Sequence, residues 1–195
     1  MFIVYAVPLG LLIGWLLGGR LEGLAGIRFR WAWVAVGGLA VQVVLFSGAV
    51  DAAVGDAGPA VYVGSTVAVL AAVLRNITVP GLPLVALGAA SNLAAILANG
   101  GYMPADPAAL AAAGLEADAG RYTNSVVTDT PALRPLTDIF ALPEWVPLAN
   151  VFSVGDVLIG MGVALTIVLA MRRGRFPSRP EPPEPSPVRR GNSPD

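Results

Sequence analysis

Cysteine, histidine and lysine are all missing from this chain of 195 residues, so each of its 12 basic side chains is an arginine. These gaps remove whole chemistries. Without thiolate or imidazole the usual zinc and transition-metal ligands are gone. Ser-His and Cys-His nucleophiles cannot be built, nor can a Schiff-base or phosphate-loop lysine. No disulfide can form. Charge is scarce as well: 13% of residues are charged, against about 25% in a soluble domain. The net charge of −1 gives no electrostatic footprint for nucleic acid. Carboxylates, arginine, amides, hydroxyls and the backbone remain, and none of them points to a cofactor or a metal.

Apolar residues are plentiful. They make up 55% of the chain, and the mean hydropathy is +0.71, which belongs to the membrane class. A spanning helix needs about 20 mostly apolar residues, and five stretches qualify: 1–17, 31–50, 59–74, 77–98 and 151–171. The expected fold is an all-α integral membrane protein, a bundle of five transmembrane helices under a small extracytoplasmic cap formed by 99–150. The third and fourth spans meet through Arg75 and Asn76, which calls for a tight turn. The first span has no basic residue before its apolar core, unlike a secretory signal, and reads as an uncleaved anchor.

Arginine placement orients these spans. With the N-terminus outside, ten of the 12 arginines fall inside: Arg20, Arg28, Arg30, Arg75 and the six after 171. Arg121 and Arg134 stay outside among six acids of the 99–150 segment. The expected site is the bacterial cytoplasmic (inner) membrane, multi-pass, with the C-terminus inside. Residues 173–195, rich in Pro, Arg, Ser and Glu, read as a disordered cytoplasmic tail.

Gly10, Gly14 and Gly18 recur every four residues along the first span, a small-residue seam for close helix packing, within the chain or between two copies. Ala90, Ala94 and Ala98 make a similar seam on the fourth. Trp31 and Trp33 at one end, with Tyr102, Trp145 and Phe152 at the other, fit interfacial aromatic belts. Gln42, in mid-span, reads as an interhelical hydrogen bond. In the outer segment, Asp106-Pro107 and an alanine run up to Gly114 read as N-cap, proline start, short helix and glycine stop.

The candidate site lies at the outer ends of the last two spans, where Asn92, Asn99, Asp138, Ser153 and Asp156 are expected to face a polar cleft. Ser153-Val154-Gly155-Asp156 fits the capping-box pattern before an apolar run, which shortens the last span to Val154–Met171, roughly 27 Å at 1.5 Å per residue. A cap there avoids the cost of about 2.5–3.5 kcal/mol for an acid at mid-bilayer. The other reading puts Asp156 in a cleft that raises its pKa for proton transfer or ligand binding. Asn92 lies well inside a helix, where no cap explains it, and reads as an interhelical hydrogen bond.

Three stretches carry a resemblance: Ser91-Asn92-Leu93 with Ala98–Pro104, Leu136–Phe140, and Val151–Ile159. Together with the 1–33 pattern they resemble an uncharacterised bacterial membrane family, domain of unknown function 5317, over about residues 1–172. This resemblance implies a polytopic membrane protein and no activity. The order Asp138-Ile139-Phe140, then Phe152–Asp156 before a final apolar helix, is also similar to lipoprotein signal peptidase, an aspartic membrane protease. That resemblance implies a catalytic pair of Asp129 and Asp156. Alanine, however, stands after Asn92-Leu93 where the peptidases carry their first acid, and Asp129 lies in Thr-Asp-Thr without the adjoining arginine.

The leading functional expectation is therefore a binding, scaffolding or envelope protein rather than an enzyme, with membrane lipid as its surroundings and a protein partner or second copy left open. An aspartic membrane peptidase is the alternative, and a small-molecule transporter the third reading.

Overall fold

The chain's computed structural model describes residues 2–47, 49–115, 125–128 and 130–173, and these are mostly helical. Asp129, Arg121 and the tail from 174 onward lie outside them. The long helices are α1 (Ala6–Leu16), α2 (Ala32–Phe46), α4 (Gly58–Leu74), α5 (Leu82–Ala98) and α7 (Val154–Arg173), and a single turn, α3 (Asp51–Val54), precedes α4. Two of them are long and apolar enough to cross a bilayer: α7, and α4 extended back to Gly55. α1, α2 and α5 are shorter apolar helices.

Local chemistry explains the shortening. The first turn of the chain, Phe2–Tyr5, is 3-10 rather than α. α2 stops at Phe46 because Ser47 Oγ donates to Val44 O (2.7 Å), turning the chain. Pro80 lacks an N–H and Gly81 sits at φ +95°, so α5 begins at Leu82 rather than near 77. α7 begins at Val154 because residues 151–152 are extended. Arg173 ends α7 rather than opening the tail.

Within the expected helical bundle the long helices are ordered as a row. α2 packs on α4, α4 on α5, α5 on α7 and α7 on α1, so α1 and α2, consecutive in sequence, sit at opposite edges. The connection between them, with a 3-10 helix at Leu21–Gly26, crosses beneath the row. Along it Arg20 N donates to Met171 O (2.9 Å) at the end of α7. Further on, Phe29 packs on Val73, Leu82, Val85 and Ala86.

Glycines set the spacing of the row. A β-carbon on Gly10 would lie 3.0 Å from Ala164 Cα, and Gly14 lies against Met171, so α1 and α7 run parallel with backbones nearly touching. Gly18 is not part of this seam. It lies beyond the helix at φ +73°, exposed, and Gly19 takes the place against Met171. Nor do Ala90 and Ala98 form a buried stripe; they are exposed, and α5 buries Leu82, Val85, Ala86, Gly88, Ala95 and Ile96 instead. Gln42 Nε2 bridges α2 to α4 by donating to Ser65 Oγ (3.3 Å) and Thr66 Oγ1 (3.2 Å).

The connections sort into two ends. Arg20, Arg28, Arg30 and Arg75 gather with Arg172 and Arg173 at one end, where Asn76 clips α2 to α4. Asn76 is buried; its Oδ1 accepts from Arg30 N (2.7 Å) and its Nδ2 donates to Arg30 O and Ala72 O (2.7 Å each). The other end carries the 99–150 segment, and there Tyr5 Oη donates to Pro147 O.

This cap is not all helical. β1 (Met103–Pro104) pairs in parallel with β2 (Ser125–Val126), and β3 (Phe140–Ala141) pairs antiparallel with β4 (Val151–Phe152). Between them α6 (Pro107–Ala112) starts on Asp106, whose Oδ1 accepts from Ala108 N (2.9 Å), and ends at Gly114 with φ +66°. Ala105, Ala109, Leu110, Ala113 and Val151 bury one face of the cap. Leu45, Tyr62, Ala95, Ile96 and Met103 join it to α2, α4 and α5.

Candidate functional site

The cap meets the row where α5 ends and α7 begins. Extended residues Val151 and Phe152 deliver the chain to Ser153, which is fully buried and caps α7. Its Oγ accepts from Asp156 N (3.0 Å), while Asp156 Oδ2 accepts from Ser153 N (3.1 Å). The two residues satisfy each other's amides, the reciprocal capping box, and the carboxylate sits at the positive end of the α7 dipole.

α5 closes this pair into a ring. Asn92 Nδ2 donates to Asp156 Oδ1 (2.8 Å), and Asn92 Oδ1 accepts from Ser153 Oγ (2.8 Å). The asparagine can reach because Gly88 and Gly155 bring the two backbones together. A β-carbon at Gly155 would collide with Asn92 Oδ1 and lie 2.7 Å from Gly88 O. Each carboxylate oxygen of Asp156 thus holds a donor, and the Ser153 hydroxyl is used both ways. A carboxylate so held locks two helices and a chain entry together.

The other expected cleft residues are engaged elsewhere. Asn99 ends α5 and holds the backbone of residue 132: its Nδ2 donates to Ala132 O (2.9 Å) and its Oδ1 accepts from Ala132 N (2.9 Å). Asp138 is buried inside the cap, and its main chain bonds Pro104 O and Asp106 N (2.9 Å each). Asp129, the proposed partner of Asp156 in a peptidase pair, lies outside the described residues. A cavity of about 250 Å³ does open in the cap, lined by Asp106, Thr128, Arg134 and Thr137. Arg134 donates to Asp106 Oδ2 (3.0 Å) across it. That hydrogen bond, followed by the amide of Ala108, holds the half-buried Asp106 carboxyl below its ordinary pKa.

Sequence reasoning missed the two asparagine clamps. Asn76 and Asn99 each take both the N–H and the C=O of a residue far away in sequence, Arg30 and Ala132. The only local signal is an asparagine just past a helix C-terminus, which equally fits a simple cap.

Fold and site together define a mostly helical protein with two helices apolar enough to span a membrane, an ordered cap and a hydrogen-bonded polar ring between them. A family model described as a family of unknown function (DUF5317) matches residues 26–168, and the chain belongs to that family. No curated protein and no solved structure matches it.

Proposed function

We propose that this chain is a five-span protein of the bacterial inner membrane, N-terminus outside and C-terminus inside, which holds a rigid cap on the outer face as a binding or scaffolding surface and does no covalent chemistry. Much of its apolar surface supports the membrane reading. Trp33 is 78% exposed, and Trp15, Leu16, Val36, Leu39 and Val43 are exposed along α1 and α2. A soluble chain would leave no such continuous apolar face uncovered. The exposed tryptophans Trp31, Trp33 and Trp145 near the helix ends suit the interfacial belts. The gathering of arginines opposite the cap supports the orientation. α1, α2 and α5 then cross with the help of their flanking turns and local bilayer thinning.

One observation carries the non-catalytic reading: the Asn92–Ser153–Asp156 ring, in which both oxygens of the best-placed acid are taken by structural donors. The test is complementation of a deletion strain. Asp156→Asn keeps an acceptor at the helix start and lowers stability by about 1 kcal/mol, as cap losses do, while the cellular function persists. Asp129→Asn likewise has no effect. Loss of function in either variant, with the protein still folded and inserted, would sink the reading and favour a peptidase.

A further inference from the structure

A second cavity, of about 310 Å³, opens at the arginine end, away from the polar ring. Its walls come from three places: the crossing connection beneath the row, the turn before α5, and the last turns of α7. Ile27, Pro80 and Leu169 make an apolar interior, while Glu22, Arg28 and Arg173 stand at its rim. The volume is near the lower limit for ligand pockets, about 300 Å³. It suits a headgroup and the first carbons of a chain rather than a whole lipid.

The charges do not cancel. Glu22 is taken by Arg20, whose Nε lies 3.4 Å from its Oε2. Among the described residues Arg28 and Arg173 have no ion-pair partner, so the rim is positive. Helix dipoles do not reverse this, because the start of α5 and the end of α7 lie side by side with opposite sign. The single Thr166 hydroxyl proton is already used within the protein, shared between Pro80 O (2.9 Å) and Gly162 O (2.8 Å).

We propose that this cavity binds an anionic glycerophospholipid of the inner leaflet, with the phosphate between Arg28 and Arg173 and the adjoining acyl carbons against Ile27, Pro80 and Leu169. A soluble anion would leave the apolar interior without a partner. A zwitterionic lipid would bring its own cation to a rim that is already positive. The position matches as well, since guanidinium groups and acyl chains meet only at the membrane boundary. The inference rests on the topology above for its choice of leaflet.

The test uses the full chain in nonionic detergent with three probes: short-chain phosphatidylglycerol, the matching phosphatidylcholine, and inorganic phosphate. At about a hundredfold excess over the dissociation constant, phosphatidylglycerol raises the unfolding midpoint by roughly 5 °C or more, and the other two probes do not. Each arginine contributes about fivefold in affinity near a lipid surface. The Arg28→Gln/Arg173→Gln double variant therefore binds about 25-fold more weakly, its lysine counterpart keeps most of the affinity, and Arg134→Gln in the cap changes nothing. An equal shift from phosphatidylcholine, an equal shift from phosphate alone, or undiminished binding by the double variant each overturns the site. The leaflet is read separately by labelling Ala25→Cys, beside the cavity. Labelling from outside intact cells, with the phosphatidylglycerol-specific shift in midpoint unchanged, removes the topology and leaves the site standing.

Discussion

Adding one methyl group at Gly155 and one at Gly37 gives opposite results, because only one of the two glycines touches another helix. Both lie in α-helices, where alanine is favoured over glycine by about 1 kcal/mol. At Gly37 nothing lies within 4 Å of the added carbon, so Gly37→Ala is neutral to stabilising by up to about 1 kcal/mol. At Gly155 the methyl meets Asn92 Oδ1, Asn92 Cγ at 2.7 Å and Gly88 O at 2.7 Å. Two of these are atoms of the ring's own amide and the third is backbone, so α5 and α7 must move apart. Overpacking costs about 1–3 kcal/mol, and the two hydrogen bonds from Asn92 across the helices add about 1 kcal/mol each. Against the gain in helix propensity, the net loss is about 2–4 kcal/mol, or roughly 4–16 °C in unfolding midpoint for a chain of this size. Thermal unfolding in detergent, followed by circular dichroism, reads both variants. Shifts of the same sign and similar size would mean that α5 and α7 do not approach closely at Gly155, and the ring geometry would fall with that contact.

Other expectations follow from the same geometry. Since the chain has no cysteine, single introduced cysteines report cleanly to an impermeant thiol reagent on intact cells. Ala111→Cys, exposed on α6, is labelled and Ala25→Cys is not; the reverse pattern would invert the proposed orientation. Asn76→Ala strands the polar groups of Arg30 that it now pairs and costs about 1–3 kcal/mol; an unchanged midpoint would remove the clamp between α2 and α4. The Asp106 carboxyl titrates below its ordinary value because Arg134 donates to it. A depressed folded-state pKa stabilises the cap at and above the ordinary carboxylate range, and that contribution is lost only as pH falls through the lower value. Amide exchange in α6 therefore accelerates on acidification below about pH 4, and in Arg134→Gln that acceleration is smaller, because the folded-state pKa returns toward the ordinary value. An acceleration undiminished by that substitution would mean that the ion pair does not hold the carboxyl down.

What the sequence determined by itself was written in short-range chemistry. Ser153 and Asp156, three residues apart, form a capping box whatever helix follows, because both partners lie within one turn. Asp106, Pro107 and Gly114 start and stop α6 for the same reason. The apolar runs located the long helices, and Pro80 with Gly81 trimmed one of them. Tertiary structure decided who meets whom. Four-residue spacing marked Gly10 and Gly14 correctly as contacts, yet could not see that Gly18 leaves the helix and Gly19 replaces it. Alanine spacing on α5 looked like a seam, but Leu82, Val85, Ala86, Gly88, Ala95 and Ile96 take the buried face, with Gly88 set against Gly155 of α7. The order of the row also lay beyond local patterns. Apolar helices of similar composition carry no mark of their neighbours, so only the packed structure could send α1 and α2 to opposite edges and open a cavity beneath the crossing chain. The ring was half legible: its capping half is local, whereas Asn92 reaches Asp156 only because two glycines, 67 residues apart, let two backbones touch.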